Sequence, residues 1–191
     1  MTSDRHVPSA SSAAALPAGV HWRLLAVNDG CAGDTVDLFD LDAAHGIRAV
    51  QWNFVTSRAG TLRGVHVHAR HWDYLSVLDG EMLVGLHDMR PSSATFRRSA
   101  LVSMCGATPS AIAIPPGVAH GFLSPGPTAH IYAVDQYWNP ADEMGCQWDD
   151  PALGLAWPID RPLLSPRDRE APGYAALADA LARAMADVTP T

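Results

Sequence analysis

Short apolar runs, separated by glycine, proline and other turn-forming residues, recur through the middle of the chain. The runs are rich in Val, Ile, Leu and aromatic residues, a composition typical of β-strands. This pattern predicts strands at residues 47–55, 63–68, 74–78, 81–87, 100–103, 111–114, 121–123 and 130–137. The step Asp79-Gly80 between two of the runs predicts a tight hairpin turn. Many short strands at this spacing predict an all-β protein built as a sandwich, jelly roll or barrel.

One helix is predicted, near the C-terminal end of the chain. Its apolar residues recur at gaps of three and four, which places them on one helix face: Tyr174, Leu177, Leu181 and Met185. We therefore expect a helix over residues 172–187. Residues 1–18 are rich in Ser, Ala and Pro and predict a flexible tail. No internal repeat or linker divides the remainder, so residues 19–191 are expected to form a single domain.

Composition and charge narrow the classes of protein that fit this chain. Its 191 residues include 13 basic and 20 acidic side chains, a net charge of −7, and 48% are hydrophobic. Because no basic cluster occurs, nucleic acids and anionic membranes are excluded as main partners. No apolar stretch reaches the roughly 18 residues that a membrane span needs. The three cysteines form no CxxC pair, and together with the lack of a signal-peptide pattern they predict a cytoplasmic protein.

The most informative residues are histidines concentrated in one segment. Between two glycines the chain reads G-x5-H-x-H-x4-D-x6-G, with His66, His68 and Asp73 at the defined positions. The later segment PPGVAH ends on His120. Because side chains at positions i and i+2 of a strand share a face, His66 and His68 are predicted to project into the same interior. Asp73 begins the next predicted strand and can reach the same point.

These two segments resemble the metal-binding motifs of the cupin superfamily, whose members fold as small jelly-roll barrels. The resemblance implies the ligand set His66, His68, Asp73 and His120, although the usual acid of that motif is Glu. Three imidazoles and one carboxylate suit a divalent transition metal. Fe, Mn, Co, Ni and Zn all fit, and the residues do not select among them. The expected fold is a cupin jelly-roll barrel with a C-terminal helix.

A second resemblance extends over residues 47–172. The segments QWNFVTSRAGTLRGVH, PPGVAHGFL, YWNPADE, WDDPALGLAWP and LSPRDREAP are similar to motifs of the dTDP-4-keto-6-deoxyglucose (dTDP-4-dehydrorhamnose) 3,5-epimerases of rhamnose synthesis. Their order and spacing are similar as well. The resemblance implies a cupin fold, a homodimer, catalysis without a metal, and a small-molecule substrate that carries a nucleotide.

The same resemblance assigns roles to individual residues. His66 is implied as the base that removes a proton next to the keto group, and Asp168 as its paired carboxylate. Tyr132 is implied as the acid that returns a proton from the opposite face. The residues expected to contact the substrate are Arg63, Gln51, Asn53, Trp138 and Glu143. The His–Asp pair is chemically sound, because a carboxylate bonded to one imidazole nitrogen raises the basicity of the other.

Two departures from the epimerase pattern coincide with the metal motif. His68 replaces a Gln, and Asp73 stands where the family has a Lys that assists the enolate oxygen. A third departure, near residues 33–37, is the lack of the R-G-x-F-x-E stretch that grips the nucleotide. We therefore hypothesise a metal-dependent isomerase or epimerase that acts next to a carbonyl of a sugar-like or natural-product small molecule. The metal would replace the Lys as a Lewis acid. The proton would then be moved by a metal-bound hydroxide, Tyr132 or Glu143.

Three alternatives stay open at this point. One is a metal-dependent cupin oxygenase or lyase, and another is a dTDP-4-keto-6-deoxy sugar 3,5- or 3-epimerase that works without a metal. The third is a ligand-binding cupin that does not catalyse a reaction.

The remaining histidines lack a partner pattern. We expect His71 in an exposed turn, and His87 and His130 in structural or surface positions.

Overall fold

A computed structural model describes residues 16–39, 46–137, 139 and 142–186. Its strands are β1 His21–Leu24, β2 Val27–Asn28, β3 Thr35–Val36, β4 Gln51–Ser57, β5 Thr61–Val67, β6 Asp73–Asp79, β7 Glu81–Asp88, β8 Ser99–Cys105, β9 Ser110–Ile114, β10 Val118–Ser124, β11 Thr128–Val134 and β12 Met144–Gly145. A short 3-10 helix at Pro151–Leu153 precedes two α-helices, α1 Pro166–Arg169 and α2 Tyr174–Ala186.

Two five-stranded sheets form the body of the described fold. The first has the strand order β1-β9-β6-β11-β4 and the second the order β12-β5-β10-β7-β8, with all pairs antiparallel. From β4 onward, most consecutive strands lie in different sheets, so the chain passes repeatedly from one sheet to the other. This alternation is the topology of a jelly roll, and the predicted all-β fold is confirmed.

The turn at Asp79-Gly80 does not close a hairpin, and that prediction is wrong. Strand β6 pairs with β9 and β11, whereas β7 pairs with β8 and β10. Gly80 has a φ of 76°, a left-handed conformation that glycine adopts easily, and it turns the chain from one sheet into the other. An apolar run, a turn and a second run specify a reversal of direction, but they do not specify which strands pair.

The strands predicted from apolar runs correspond to β4–β11, with shifts at their ends. The prediction 47–55 begins early, since β4 is Gln51–Ser57, and 130–137 ends late, since β11 is Thr128–Val134. The pattern did not predict β1, β2, β3 or β12. These strands are two to four residues long and at most partly buried, so they lack an apolar run.

Helix α2 confirms the predicted C-terminal helix within the described residues. Its Leu177 and Leu181 are buried and pack in one cluster with Val65 and Val67 of β5. Residue 187 and residues 1–15 of the predicted tail lie outside the described residues, while Leu16 packs against the core between the sheets. No helix in the described ranges has the length and apolar composition needed to cross a membrane.

Strands β5 and β10 lie side by side and place two histidines next to each other. In their register His66 stands opposite His120, and the pairing is irregular just beyond it. Gly64 has a φ of 106°, and a Cβ at this position would lie 2.8 Å from the carbonyl oxygen of His120. A residue without a side chain therefore lets the two strands approach closely at the edge of the interior.

Candidate active site

A cavity of about 370 Å³ lies between the two sheets. Strands β4, β6 and β11 of the first sheet and β5 and β10 of the second contribute to its walls, together with α1 and the loop before β12. Its lining residues are Gln51, Val55, Arg63, His66, His68, His71, Asp73, Leu75, His120, Phe122, His130, Tyr132, Val134, Glu143, Ser165, Arg167 and Asp168. Imidazole, carboxylate, guanidinium and phenol groups thus face one space.

His66 and Asp168 form the shortest polar contact in this cavity. Nε2 of His66 lies 2.6 Å from Oδ1 of Asp168. Ser165 caps the first turn of α1: its hydroxyl donates to Oδ2 of Asp168 at 2.8 Å and accepts from the Asp168 backbone N–H at 3.1 Å. Burial raises the pKa of Asp168, but the hydrogen bonds from His66 and Ser165 outweigh it, so this pKa lies below its usual value. Asp168 is therefore an ionised acceptor for the imidazole.

The guanidinium of Arg167 covers the same imidazole. Its NH2 lies 2.7 Å from Nε2 and 3.2 Å from Nδ1 of His66, and its NH1 donates to Oε2 of Glu143 at 2.7 Å. When Nε2 donates its proton to Asp168, it cannot also accept one from Arg167. The contact with Nδ1 is then the one that Arg167 can make, and Nδ1 carries the lone pair of His66.

Tyr132 faces this cavity from the other sheet. It lies on β11 of the first sheet, whereas His66 lies on β5 of the second. Burial raises the pKa of Tyr132, and the negative charges of Asp73 and Glu143 raise it further. The phenol therefore keeps its proton near neutral pH and can donate it. A group bound between the sheets would have His66 on one side and Tyr132 on the other.

The imidazoles of His68, His71 and His120 surround the carboxylate of Asp73. Their Nε2 atoms lie 3.6, 3.9 and 3.5 Å from Oδ2 of Asp73. Burial lowers the pKa of His68 below its usual range, against the opposing charge of Asp73, and burial lowers the pKa of His120 to about 4. Burial also raises the pKa of Asp73. The two rings are therefore neutral near pH 7.

The expectation that His71 lies in an exposed turn is wrong. His71 is only 6% exposed, and its ring stacks on that of His68 with centroids 3.9 Å apart. The carboxylate of Asp142 holds this loop in place, because it accepts hydrogen bonds from Nδ1 of His71 and from the backbone N–H of Ala69. The contact joins two segments that are far apart in the sequence.

The structure brings together three of the four predicted metal ligands. His68, Asp73 and His120 offer ligand atoms that lie within 4.8 Å of one another. His66 lines the same cavity, but its Nε2 is bonded to Asp168 and it is not in this group. The reason is local, because β5 ends at Val67 and the alternation of strand faces does not extend to His68.

Comparison with known proteins agrees with this geometry. A family model described as dTDP-4-dehydrorhamnose 3,5-epimerase matches residues 33–176. The chain belongs to this family. The expected membership in an isomerase family of enzymes is thereby confirmed.

Curated relatives carry the same description. A dTDP-4-dehydrorhamnose 3,5-epimerase of Pseudomonas aeruginosa is 32% identical over 141 residues, which cover 72% of this chain and 78% of the relative. One of the same name from Neisseria gonorrhoeae is 37% identical over 123 residues, 62% of this chain. The match spans only 38% of that second relative.

Solved structures of epimerases have the same architecture. A 3'-monoepimerase from Streptomyces bikiniensis, in complex with dTDP-quinovose, superposes with a TM-score of 0.77 at 28% identity, over 88% of this chain and 92% of that one. An epimerase of Mycobacterium tuberculosis shares the fold, with a TM-score of 0.79 at 23% identity, over 90% and 96% of the two chains. The predicted cupin jelly roll is confirmed.

The predicted substrate-contacting residues of this family member fall into three groups. Gln51, Arg63 and Glu143 line the cavity. Asn53 is not among the lining residues, and its Oδ1 accepts a hydrogen bond from Nε2 of Gln51 at 3.3 Å, so it supports Gln51 instead. Trp138 lies outside the described residues.

Sequence analysis missed His130 as a residue of the cavity. His130 is buried, lines the cavity, and lies two residues before Tyr132 on β11. Burial and the nearby charge of Arg63 lower its pKa to about 4. The alternation of strand faces was a sufficient signal, because a cavity-facing Tyr132 implies a cavity-facing His130. Arg167 was also missed, although it belongs to the quoted segment LSPRDREAP.

Proposed function

We propose that this protein inverts a carbon next to the keto group of a dTDP-linked 4-keto-6-deoxyhexose. The observation that supports the reaction is the 2.6 Å contact between His66 and Asp168, which faces Tyr132 across the cavity. A base and an acid on opposite walls are what an epimerase needs, because inversion removes a proton from one face of a carbon and returns one to the other.

His66 acts as the base through Nδ1. The ionised Asp168 accepts the Nε2 proton, which fixes the tautomer and stabilises the imidazolium that forms when Nδ1 takes the substrate proton. Arg167 lies over Nδ1, and its side chain is 52% exposed, so it can move aside when the substrate binds. The displaced guanidinium stays close to the reaction and provides positive charge for the enolate oxygen.

Tyr132 acts as the acid. Its raised pKa keeps the phenol protonated until the enolate forms, and transfer of that proton to the face opposite His66 gives the inverted product. Without this transfer, the enolate is reprotonated from the His66 side with retention. The two half-reactions can therefore be separated by experiment.

The nucleotide is the less specified part of the substrate. Arg63 and Arg167 are the positively charged side chains among the lining residues, and a diphosphate needs such groups. The solved complex of the Streptomyces monoepimerase contains a dTDP-sugar, which supports dTDP as the carrier. Because the stretch near residues 33–37 lacks the expected Arg and aromatic residue, we propose that Arg63 carries most of the phosphate contact.

The test is hydrogen exchange from D₂O into dTDP-4-keto-6-deoxyglucose, read by NMR at C3 and C5. We expect exchange with inversion in the wild type, at C3 alone or at both carbons. His66→Asn should abolish exchange, and Tyr132→Phe should exchange without inverting. If His66→Asn exchanges at the wild-type rate, the assignment of the base is wrong.

Proton transfer in this proposal uses side chains alone, because Asp168 holds His66 away from the imidazole cluster. A metal-dependent form of the same epimerase would add a Lewis acid to this machinery and would not change the base. The oxygenase, lyase and non-catalytic alternatives stay predictions.

We also propose a homodimer that forms through the outer face of β4. Strand β4 is at the edge of the first sheet, and its outward residues Trp52 and Phe54 are 47% and 66% exposed. Large exposed apolar residues on an edge strand favour association. Sedimentation velocity should give twice the 20.4 kDa chain mass, and Phe54→Lys should give the monomer. Cytoplasmic location stays a prediction.

A further inference from the structure

We infer that His68, Asp73 and His120 form a binding site for one divalent first-row transition-metal ion, with the ring of His71 packed beside it. The four residues meet at the side of the cavity next to the His66–Asp168 pair. The site does not depend on the proposed epimerase reaction, because it uses neither His66 nor Tyr132. It also differs from the ligand set implied by the sequence motif, since His66 is bonded to Asp168 and is not part of the group.

The orientation of each ring is fixed by the nitrogen that faces away from Asp73. Nδ1 of His68 lies 3.1 Å from the carbonyl oxygen of Asp142, and Nδ1 of His120 lies 3.1 Å from that of Val118. A carbonyl oxygen only accepts, so both Nδ1 atoms must carry the proton. Nε2 of each ring then presents a lone pair to Asp73.

His71 is held in the same way by a carboxylate. Its Nδ1 lies 3.1 Å from Oδ2 of Asp142, and its Nε2 points to Oδ2 of Asp73 at 3.9 Å. Imidazole ligands of metals commonly donate their second N–H to a carbonyl or carboxylate in this manner. Asp142 therefore supports two of the three rings, one through its backbone and one through its side chain.

The distances at the centre of the cluster suit a shared ion better than direct hydrogen bonds. The three nitrogens lie 3.5–3.9 Å from Oδ2 of Asp73, beyond the length of a hydrogen bond. Two ligands that each lie about 2.1 Å from one metal at a tetrahedral angle are about 3.4 Å apart. The observed separations are close to this value.

The donor and acceptor balance also favours a cation over a water molecule. Three imidazole lone pairs and one carboxylate oxygen converge, and none of them brings a proton when Asp73 is ionised. A single water molecule could donate to two of these four acceptors and would leave the others without a donor. One metal ion accepts the lone pairs of His68, Asp73 and His120 together.

The charges around the cluster favour a divalent ion. The carboxylates of Asp73 and Asp142 both contact the imidazole rings, and Oε1 of Glu143 lies 3.7 Å from Nδ1 of His68. The cluster thus combines neutral imidazoles with negative charge. Among the described residues, no lysine or arginine side chain forms an ion pair with Asp73. A second possible group, on the Nδ1 side of His68 and His71, is less suitable because those nitrogens already donate to Asp142.

An ion at this position would supply a Lewis acid inside the reaction cavity. Its ligand from outside would be an oxygen of a small molecule, such as a keto, hydroxyl or carboxylate group. Asp73 stands where the resemblance to the epimerases implies a Lys, and an ion bound to Asp73 would restore positive charge to this part of the cavity.

The experiment measures metal directly and separates the two ligand sets. The untagged protein is purified without chelators and analysed by elemental mass spectrometry. Its affinity for Zn²⁺ and Co²⁺ is then measured by competition with a chromogenic chelator. We expect about one ion per chain in the wild type and in His66→Asn. His68→Gln and His120→Gln should each weaken Zn²⁺ binding by about 100-fold or more. His71→Gln, which leaves these three ligands in place, should weaken it far less.

Each other outcome overturns the inference. If the folded wild type binds neither Zn²⁺ nor Co²⁺ with a dissociation constant below about 10 μM, the cluster is not a metal site. If His66→Asn loses the ion, the ligand set of the sequence motif is correct instead. Circular dichroism and the absorption spectrum of bound Co²⁺ show that each variant is folded and how the ion is coordinated. The D₂O exchange assay on the same samples reports the epimerase proposal independently.

Discussion

Two buried carboxylates of this protein, Asp88 at the end of β7 and Asp73 at the start of β6, have opposite surroundings. Asp88 accepts hydrogen bonds from Nε and NH2 of Arg90, both at 2.8 Å, and from the hydroxyls of Ser93 and Thr95, both at 2.6 Å. Asp73 faces three imidazoles, and the nearest nitrogen is 3.5 Å from its Oδ2. Asp88 has donors within bonding distance, whereas Asp73 meets other acceptors.

Because of this difference, the carboxylate of Asp88 stabilises the fold, whereas the carboxylate of Asp73 does not. Burial raises the pKa of Asp88, but the hydrogen bonds from Arg90, Ser93 and Thr95 outweigh burial and hold that pKa well below its usual value. Burial likewise raises the pKa of Asp73, and there the neighbouring imidazoles do not compensate. A buried charge without donors costs folding free energy, so its presence in a cavity indicates a function.

Like Asp88, Asp168 accepts hydrogen bonds, and like Asp73 it lines the cavity. Changing Asp168 should have the largest effect, on the exchange rate. We expect Asp168→Asn to lower the rate of proton exchange by about 10³-fold or more, because an amide does not stabilise the imidazolium of His66 or enforce its tautomer. The measurement is deuterium incorporation next to the keto group. Ser165→Ala is the matched control: it removes the two hydrogen bonds that the Ser165 hydroxyl makes with Asp168, but it keeps the carboxylate and should reduce the rate far less. A rate within tenfold of the wild type in Asp168→Asn would contradict the base assignment.

Asp88→Asn should have the next largest effect, on stability instead of activity. The amide keeps the shape of the side chain but leaves Arg90 without an ionised partner, so we expect the free energy of unfolding to fall by about 3 kcal/mol. Chemical denaturation monitored by circular dichroism measures this loss. Because Asp88 does not line the cavity, exchange activity per folded molecule should be unchanged. A loss below about 1 kcal/mol would show that the network around Asp88 is not stabilising.

The stabilising effect of Asp88 should depend on pH in a defined direction. Its pKa is lower in the folded protein than the ordinary value of 3.8, which we assign to the unfolded chain. The ionised carboxylate therefore stabilises the fold fully above that value, and this contribution is lost as the pH falls toward the folded-state pKa. The difference in unfolding free energy between wild type and Asp88→Asn should be constant from about pH 5 to 7 and shrink below about pH 4. A difference that grows in acid would have the wrong sign.

The sequence allowed the strand positions and the pairing of His66 with Asp168 to be predicted, because both depend on local patterns. Apolar runs mark the positions of β4–β11, whichever strands these pair with. The segments LRGVH and LSPRD contain His66 and Asp168 and resemble the corresponding segments of the epimerases. Pairing is not local. The same run-turn-run pattern at Asp79-Gly80 could close a hairpin or cross between sheets, and only the packing of the other strands decides.

The imidazole cluster could be predicted in part for the same reason. His68, Asp73 and His120 occur in recognisable spacing, but the buried ring of His71 is held by Asp142, 71 residues further along, which accepts its Nδ1 proton. No local sequence pattern predicts this contact. His66 lies outside the ligand group because it is bonded to Asp168 and because β5 ends one residue before His68.

The smallest expected effect distinguishes Asp73 from Asp88 most directly. In protein treated with EDTA, Asp73→Asn should raise the free energy of unfolding by about 1 kcal/mol, because the amide removes a buried charge and its N–H can donate to an imidazole lone pair. With excess Zn²⁺ the order should reverse, since the ion stabilises the wild type and binds the variant poorly. Thermal unfolding with EDTA and with Zn²⁺ measures both differences. If Asp73→Asn is instead destabilising in EDTA, as we expect for Asp88→Asn, then Asp73 stabilises the fold in the same way as Asp88.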